Sequence, residues 1–526
     1  MITFNLLFLP PSGARGLYIM PILLISALLM GGCNTHDPIA TPVANADYSI
    51  IDGDTIKTVV FKDYKKLKDK DPNGKNYIVV GDTIITYKEP KLHTPPAKDP
   101  DLSKLKNNDD PDLKGKPLRM IAIGGSLTAG VRDGGYFNEG ILTSYPNLIA
   151  RQMKLQKFEQ PLFDNDSYNG FGRKSRTGFN PTGGPVPKFN SVKNNSENFI
   201  VADPKFKKYK GQPENFGIPF MTGGNLYSTN EGIDFRNKIY GTSKMAGELF
   251  KRVLPDNVQF MDYVSSQKFD FFTLEFGIDN LIRFAIPAGA GDKSLSATSS
   301  ASAIDNPYNF NNYSSLSSEA LLLLKFSEKK IKKGCLLNIP DVISLPFFDV
   351  TRDKTESLQS QFIGLQYYNS SNEVKDAIRN VNTSFLLLPS SAVDSLMSPK
   401  VHISLKKGVL GNKPLNKADL LDDYDLNAVK IGAIQYNQQL ELLSKKHGFP
   451  IVEFPIVDIK TLYKSVIDGS LITEDGVKVN KLNFFSSDGL NPTPFGHAII
   501  ANEVIKTLNS FYKMDIPLIS AKEYLR

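Results

Sequence analysis

Cysteine and histidine are scarce in this 526-residue chain, which has two of the first and five of the second. Cys33 and Cys335 allow one disulfide at most. A lipidated Cys33 would leave Cys335 unpaired, so neither a disulfide framework nor a cysteine-based metal site is at hand. His36, His93, His402, His447 and His497 recur at ligand spacing neither with one another nor with carboxylates, so no metal is expected. A phosphate loop, a dinucleotide fingerprint and a basic aromatic stripe are all missing, which argues against a cofactor and a nucleic acid partner. A strong charge of one sign is lacking too. The net charge of +7 is what 62 basic and 55 acidic side chains leave, too dilute for nucleic acid but suited to an anionic membrane surface. No apolar run reaches the ~20 residues that a helix needs to cross a bilayer.

What is present begins with the first 33 residues. Arg15 precedes an uncharged, largely apolar stretch from Gly16 to Met30, and Leu29-Met30-Gly31-Gly32-Cys33 places small residues just before a cysteine. That pattern reads as a lipoprotein signal peptide over 1–33, with Cys33 as the lipidated residue. Residues 34–117 read as a tether. Within it Tyr77 to Tyr87 forms two β-rich runs about Gly81-Asp82, a hairpin signal that Ser49 to Ile56 partly echoes. Lys88 to Lys116 is rich in Pro, Lys and Asp and reads as a linker.

From Leu118 to the C-terminus (118–526), strands alternate with helices. Met120 to Ile123, Phe269 to Leu274, Cys335 to Ile339 and Ile451 to Phe454 are candidate strands. Tyr145 to Met153, Ala320 to Ile331 and Ala428 to His447 are candidate helices, the last with Ile431, Ile434, Leu440 and Leu443 on its apolar side. A final helix starts from Thr493 as N-cap with Pro494 at its first position, and buries Ala498, Ala501, Val504, Ile505 and Leu508. The alternation predicts an α/β fold with helices on both faces of a parallel sheet. Cys335 sits in a core strand, where an inert thiol is expected. Phe163 to Asn215 and Ala288 to Ser318, polar and glycine-rich, read as long rim loops.

The strand at Met120 to Ile123 empties into Gly124-Gly125-Ser126, a glycine-flanked serine of the kind that a nucleophile requires. Near the other end runs Ser487-Asp488-Gly489-Leu490-Asn491-Pro492. With Asn215-Phe216-Gly217-Ile218-Pro219 and Glu275-Phe276-Gly277-Ile278-Asp279-Asn280 between them, these segments resemble the four blocks of the SGNH (GDSL) ester hydrolases. The resemblance implies a flavodoxin-like three-layer α/β/α sandwich. It also implies Ser126 as the nucleophile position, Asp488 as the triad carboxylate, and Gly217 and Asp279 as the oxyanion positions.

Three positions depart from the family. Asn491 stands where the family has its histidine base, Asp279 where it has an asparagine donor, and Gly125 where it has Asp or Asn before the serine. An amide has no useful proton affinity near neutral pH, and loss of one triad member costs on the order of 10⁴ to 10⁶ in turnover. His497, the nearest other histidine, falls in the first turn of the last helix, where packing or capping is its expected role. The backbone N–H groups of Ser126 and Gly217 are expected to remain able to bind an anion or a carbonyl.

Asn338-Ile339-Pro340-Asp341-Val342 and the segment Gly496 to Glu503 look similar to a lipoprotein subgroup of the family that accompanies outer-membrane transport barrels in didermic bacteria. The expectation is therefore a pseudoenzyme, held to the outer membrane through Cys33 on its cell-surface or periplasmic face. Its role would be that of a non-catalytic accessory or binding subunit of an outer-membrane β-barrel protein or complex. An active carboxylester hydrolase using Ser126 (an esterase, lipase or glycan deacetylase) and a glycan-binding lipoprotein are the alternatives.

Overall fold

The computed structural model describes the backbone of residues 48–51, 54–60, 77–80 and 83–86. It also describes residues 94–525 apart from 165–169, 171, 180–183, 192–206, 228–248, 287–316, 361–363, 370–372, 377–384 and 446–451. The signal segment with Cys33 lies outside the described residues, as do His36, His93, His447 and the rim stretch 288–316.

Strands β1 (Tyr48–Ile51), β2 (Asp54–Val60), β3 (Tyr77–Val80) and β4 (Thr83–Thr86) form an antiparallel sheet in the order β1-β2-β4-β3. Val80 pairs with Thr83 as the hairpin signal predicts, and Ile51 pairs with Asp54, so the echo upstream is a second hairpin. The stretch read as a linker is not free of the core throughout. Leu105 is fully buried and Leu113 nearly so, and the Asn107 N–H donates to Asp270 Oδ1 at 2.8 Å. Packing thus starts upstream of Leu118, on apolar anchors too few to give a periodic pattern.

Five parallel strands make the central sheet, β5 (Met120–Gly124), β6 (Asn215–Gly217), β7 (Phe271–Glu275), β8 (Gly334–Leu337) and β9 (Ile456–Val457), in the order β9-β8-β7-β5-β6. Numbered along the chain, that order is 2-1-3-4-5, the doubly wound arrangement whose direction reverses between the first and third strands. Every residue of β5, β7 and β8 is buried, as strands covered on both faces require. The last strand lies further along than the sequence reading placed it. Pro455 has no N–H to give a ladder, so pairing with Leu336 and Leu337 begins at Ile456, while Phe454 goes into the core.

Helices α1 (Ser126–Ala129), α2 (Tyr145–Gln152), α3 (Ile278–Ala285), α4 (Ser317–Glu328), α5 (Pro346–Ser360), α6 (Asp423–Ser444) and α7 (Pro494–Tyr512) flank the sheet, α2 packing on α7 and α3 on α6. Thr493 caps α7 by accepting from the Gly496 N–H at 3.1 Å, and all five apolar positions expected on its inner face are buried. For α6 the expected apolar side holds at Leu440, which is buried, and at Leu443, which packs against the core, but fails at Ile434. Ile434 is 46% exposed, whereas the helix turns Ala428, Val429, Gly432, Ala433, Tyr436 and Leu440 inward, because small residues let it approach closely.

Two features were not expected. Within the polar stretch 163–215, Lys174–Phe179 and Pro187–Ser191 pair as an antiparallel ribbon. Between α5 and α6, an insertion gathers its own apolar cluster from Leu365, Tyr367, Phe385, Leu387, Val393, Leu396, Leu415 and Leu420. Among the described residues no helix is long and apolar enough to cross a membrane.

Candidate functional site

In a doubly wound sheet, ligands bind outside the carboxyl ends of the strands at the point where the winding reverses. Here that point lies between β5 and β7. The chain leaves β5 through Gly125 into α1, which opens on Ser126, and leaves β7 through Phe276 and Gly277 into α3, which carries Asp279 and Asn280 in its first turn. Gly277 has φ +95, and the ring of Tyr436 lies 2.7 Å from where its Cβ would be, so only glycine serves at that turn. The pairing of β5 with β7 thereby brings the first and third sequence blocks together.

Their meeting closes the site. The Ser126 N–H donates to Asp279 Oδ2 at 2.6 Å, and Ser126 Oγ accepts the Phe220 N–H at 2.9 Å. The Gly217 N–H donates to Asn215 Oδ1 at 2.9 Å. Both backbone donors that were expected to receive an anion or a carbonyl are therefore spent inside the chain. Gly125 gains a physical reason as well, since a Cβ there would stand 2.0 Å from Asp279 Oδ2. The Asp279 carboxylate fills the space that a side chain before the serine would take.

A second carboxyl lies beneath the first. Glu275 Oε2 accepts the Gly125 N–H at 3.1 Å and the Thr128 hydroxyl at 3.0 Å, and Thr128 is bonded in turn to the Tyr145 hydroxyl at 3.1 Å. Burial, and then the neighbouring Asp279 charge, push the Glu275 carboxyl well above the usual range. Burial raises Asp279 too, against the Ser126 hydrogen bonds and the Arg283 charge that lower it. Two buried carboxyls on adjacent peptide N–H groups cannot both ionise cheaply, so ionisation of the pair is held back above the ordinary carboxylate range. Sequence reading passed over Glu275, although a lone glutamate after Phe271-Phe272-Thr273-Leu274 in a buried strand was the signal for it.

The last block docks on the turn that follows α1. Arg132 and Gly135 exchange backbone hydrogen bonds around Asp133 and Gly134, both at positive φ, as an Asp-Gly hairpin turn demands. The Gly134 N–H donates to Asp488 Oδ2 at 3.0 Å, the Asp133 N–H to Ser486 Oγ at 3.0 Å, and the Ser487 hydroxyl to Asp133 Oδ1 at 2.7 Å. Asp488 also accepts from the Leu490 and Asn491 N–H groups and from Asn491 Nδ2, each at 2.9 Å. Burial raises the Asp488 carboxyl, and these donors oppose the rise. Among the described residues no hydrogen bond joins Ser126 to Asp488 or Asn491.

Neither described histidine, His402 or His497, bonds to Ser126 or Asp488. His497 is fully buried, its Nδ1 accepts the Tyr145 N–H at 3.2 Å, and it thereby caps α2 rather than reaching the serine. Burial and the nearby Arg132 charge lower its pKa to about 3, so it stays neutral. His402 is exposed and caps the short turn at Ile403–Leu405. The Asn280 amide, 4% exposed, makes no hydrogen bond with a described residue and is an open polar group in this part of the fold. Among the described residues no cluster of three or more histidine, cysteine or carboxylate side chains is placed to hold a metal ion. No family model, no curated protein and no solved structure matches this chain.

Proposed function

We propose that this chain is a lipid-anchored outer-membrane protein whose SGNH-hydrolase-like domain binds rather than hydrolyses. It would act as an accessory or binding subunit of an outer-membrane β-barrel protein or complex. The observation that carries the non-catalytic reading is the Asp279 carboxylate on the Ser126 N–H. An oxyanion donor is worth roughly 10² to 10³ in rate. A carboxylate in its place both removes the donor and repels the charge that develops in ester hydrolysis. Asn491 supplies no base, and His497 is engaged elsewhere. The anchor rests on the cysteine motif at Leu29 to Cys33, and the partner class on the resemblance to lipoproteins that accompany barrels.

Affinity purification of the intact protein from membranes tests the partner: a co-purifying outer-membrane barrel supports the reading. Ser126→Ala tests the chemistry, and retention of that partner with unchanged, background ester hydrolysis is the expected result. Hydrolysis that disappears in Ser126→Ala would establish the esterase instead. The unpartnered Asn280 amide favours a second reading, a glycan-binding lipoprotein, because sugars are read by such buried amides.

A further inference from the structure

The insertion between α5 and α6 carries the most exposed large apolar side chain among the described residues, Leu405 at 74%, with Ile403 at 59% and Leu410 at 46% close by in sequence. A single surface leucine needs no explanation, but three on one small structure do. The two turns that bear them are tied together by Asn412, whose Nδ2 donates to the carbonyls of Ile403 at 2.8 Å and Lys406 at 3.0 Å. The Gly408 N–H donates to the Lys413 carbonyl, the Gln366 N–H to that of Gly408, and the Leu410 N–H to that of Gly364. Polar bonds thus hold the loop in place and leave its aliphatic side chains outside.

Along the chain, the charges that flank these tips are of one sign. From Ser395 through Ala418 the chain has five lysines and no carboxylate. Lys417 is bound to Asp422 and Asp425 at the start of α6, and Lys406 Nζ donates to the Ser398 carbonyl at 2.7 Å. Lys407 and Lys413 form no ion pair among the described residues. Exposed aliphatic tips backed by unneutralised ammonium groups match one surface chemistry: anionic phospholipid, whose acyl boundary takes the leucine and isoleucine while its phosphates meet the lysines.

We propose that residues 400–413 form a membrane-contact loop that docks the insertion on an anionic phospholipid surface. The proposal goes beyond the reading of the crevice and depends neither on Cys33 nor on Ser126. Its effect would be to fix how the domain faces the lipid.

The test uses the full chain with Cys33→Ser and Leu405→Cys, labelled at residue 405 with an environment-sensitive fluorophore, Cys335 being buried. A parallel chain carries the label at Ser470→Cys, an exposed site elsewhere. With vesicles of phosphatidylcholine and phosphatidylglycerol, emission at 405 should shift to the blue, rise several-fold and be quenched by brominated acyl chains. Emission at 470 should not change. Vesicles of phosphatidylcholine alone should give little effect, and replacing Lys407 and Lys413 by Glu should weaken partitioning by about fivefold or more per lysine. An unchanged label at 405 on vesicle-bound protein overturns the proposal, and so does a shift that ignores lipid charge. These outcomes leave the lipoprotein reading untouched, since that is judged by Cys33 in cell membranes.

Discussion

Asn491 donates its side-chain N–H to Asp488 Oδ2 over 2.9 Å. It holds that carboxylate as a triad imidazole would, yet offers no basic nitrogen in return. The Asp488 carboxylate is thus held by Asn491, Leu490 and Gly134, and no basic side chain bonds to it among the described residues.

Repair should therefore need two changes. Asn491→His alone is expected to leave hydrolysis of p-nitrophenyl acetate near background, because the Ser126 N–H is still held by Asp279. Adding Asp279→Asn removes the repelling charge and should raise Ser126-dependent hydrolysis by on the order of tenfold over the single variant, less than one full oxyanion donor is worth. No gain in the double variant, with an unchanged melting curve, would show that the serine and residue 491 are not in reach of each other.

Gly125→Ala should destabilise the protein by about 2 kcal/mol, the cost of overpacking a closed site. The new methyl would meet Asp279 Oδ2 at 2.0 Å and the Met221 carbonyl at 2.9 Å. Asp279→Ala in the same chain should recover part of the loss, since it removes only the first of these clashes. Urea denaturation of the four proteins of the cycle measures the coupling.

Stability should fall as pH rises toward 8. Glu275 and Glu319, both pushed up to about 8 chiefly by burial, hold protons in the folded state that they lose in the unfolded state above the ordinary value of 4.5. Their contribution is complete below the unfolded value and disappears as pH climbs through the folded one. Glu275→Gln, which cannot ionise, should flatten the decline in melting temperature between pH 6.5 and 8. An equally steep decline in that variant would assign the effect elsewhere.

His497 has the opposite sign. Its folded pKa is lowered from 6.5 to about 3, so the unfolded chain takes up a proton there that the folded one refuses. Stability should drop as pH falls below 6.5, and His497→Gln should lessen that slope. The ester-hydrolysis background should not change in this variant, because the imidazole caps α2.

Cys33→Ser should move the protein from the carbonate-resistant membrane fraction to the soluble one, since a diacyl anchor supplies the two signals that stable attachment needs. Continued pelleting after a carbonate wash, which strips contacts that rest on charge, would remove lipidation from the account. Cys335 should resist thiol reagents in the folded protein, because burial raises its pKa far above neutrality.

Local chemistry was readable from the sequence. The strand running into Gly124 and Gly125, the Thr493 cap and the inward face of α7 each depend on residues a few positions apart, and the structure has them where the pattern predicts. What the sequence hid depends on strands that meet from afar. That Asp279 spends the Ser126 N–H follows only once β5 lies beside β7, and Glu275 is one polar letter in an apolar strand until the Gly125 N–H is placed over it. The insertion cluster was equally hidden, because its strands are two or three residues long, too short for any period to show.

The clasp between the turn at Asp133-Gly134 and the loop from Ser486 to Asp488 joins residues 353 and 354 positions apart. During synthesis, the earliest core strand must therefore wait for nearly the last stretch of chain before its crevice can shut. Such distant closure is slow and leaves apolar surface open meanwhile. Until its tail is complete, a nascent chain of this kind keeps that surface open to self-association and to proteases.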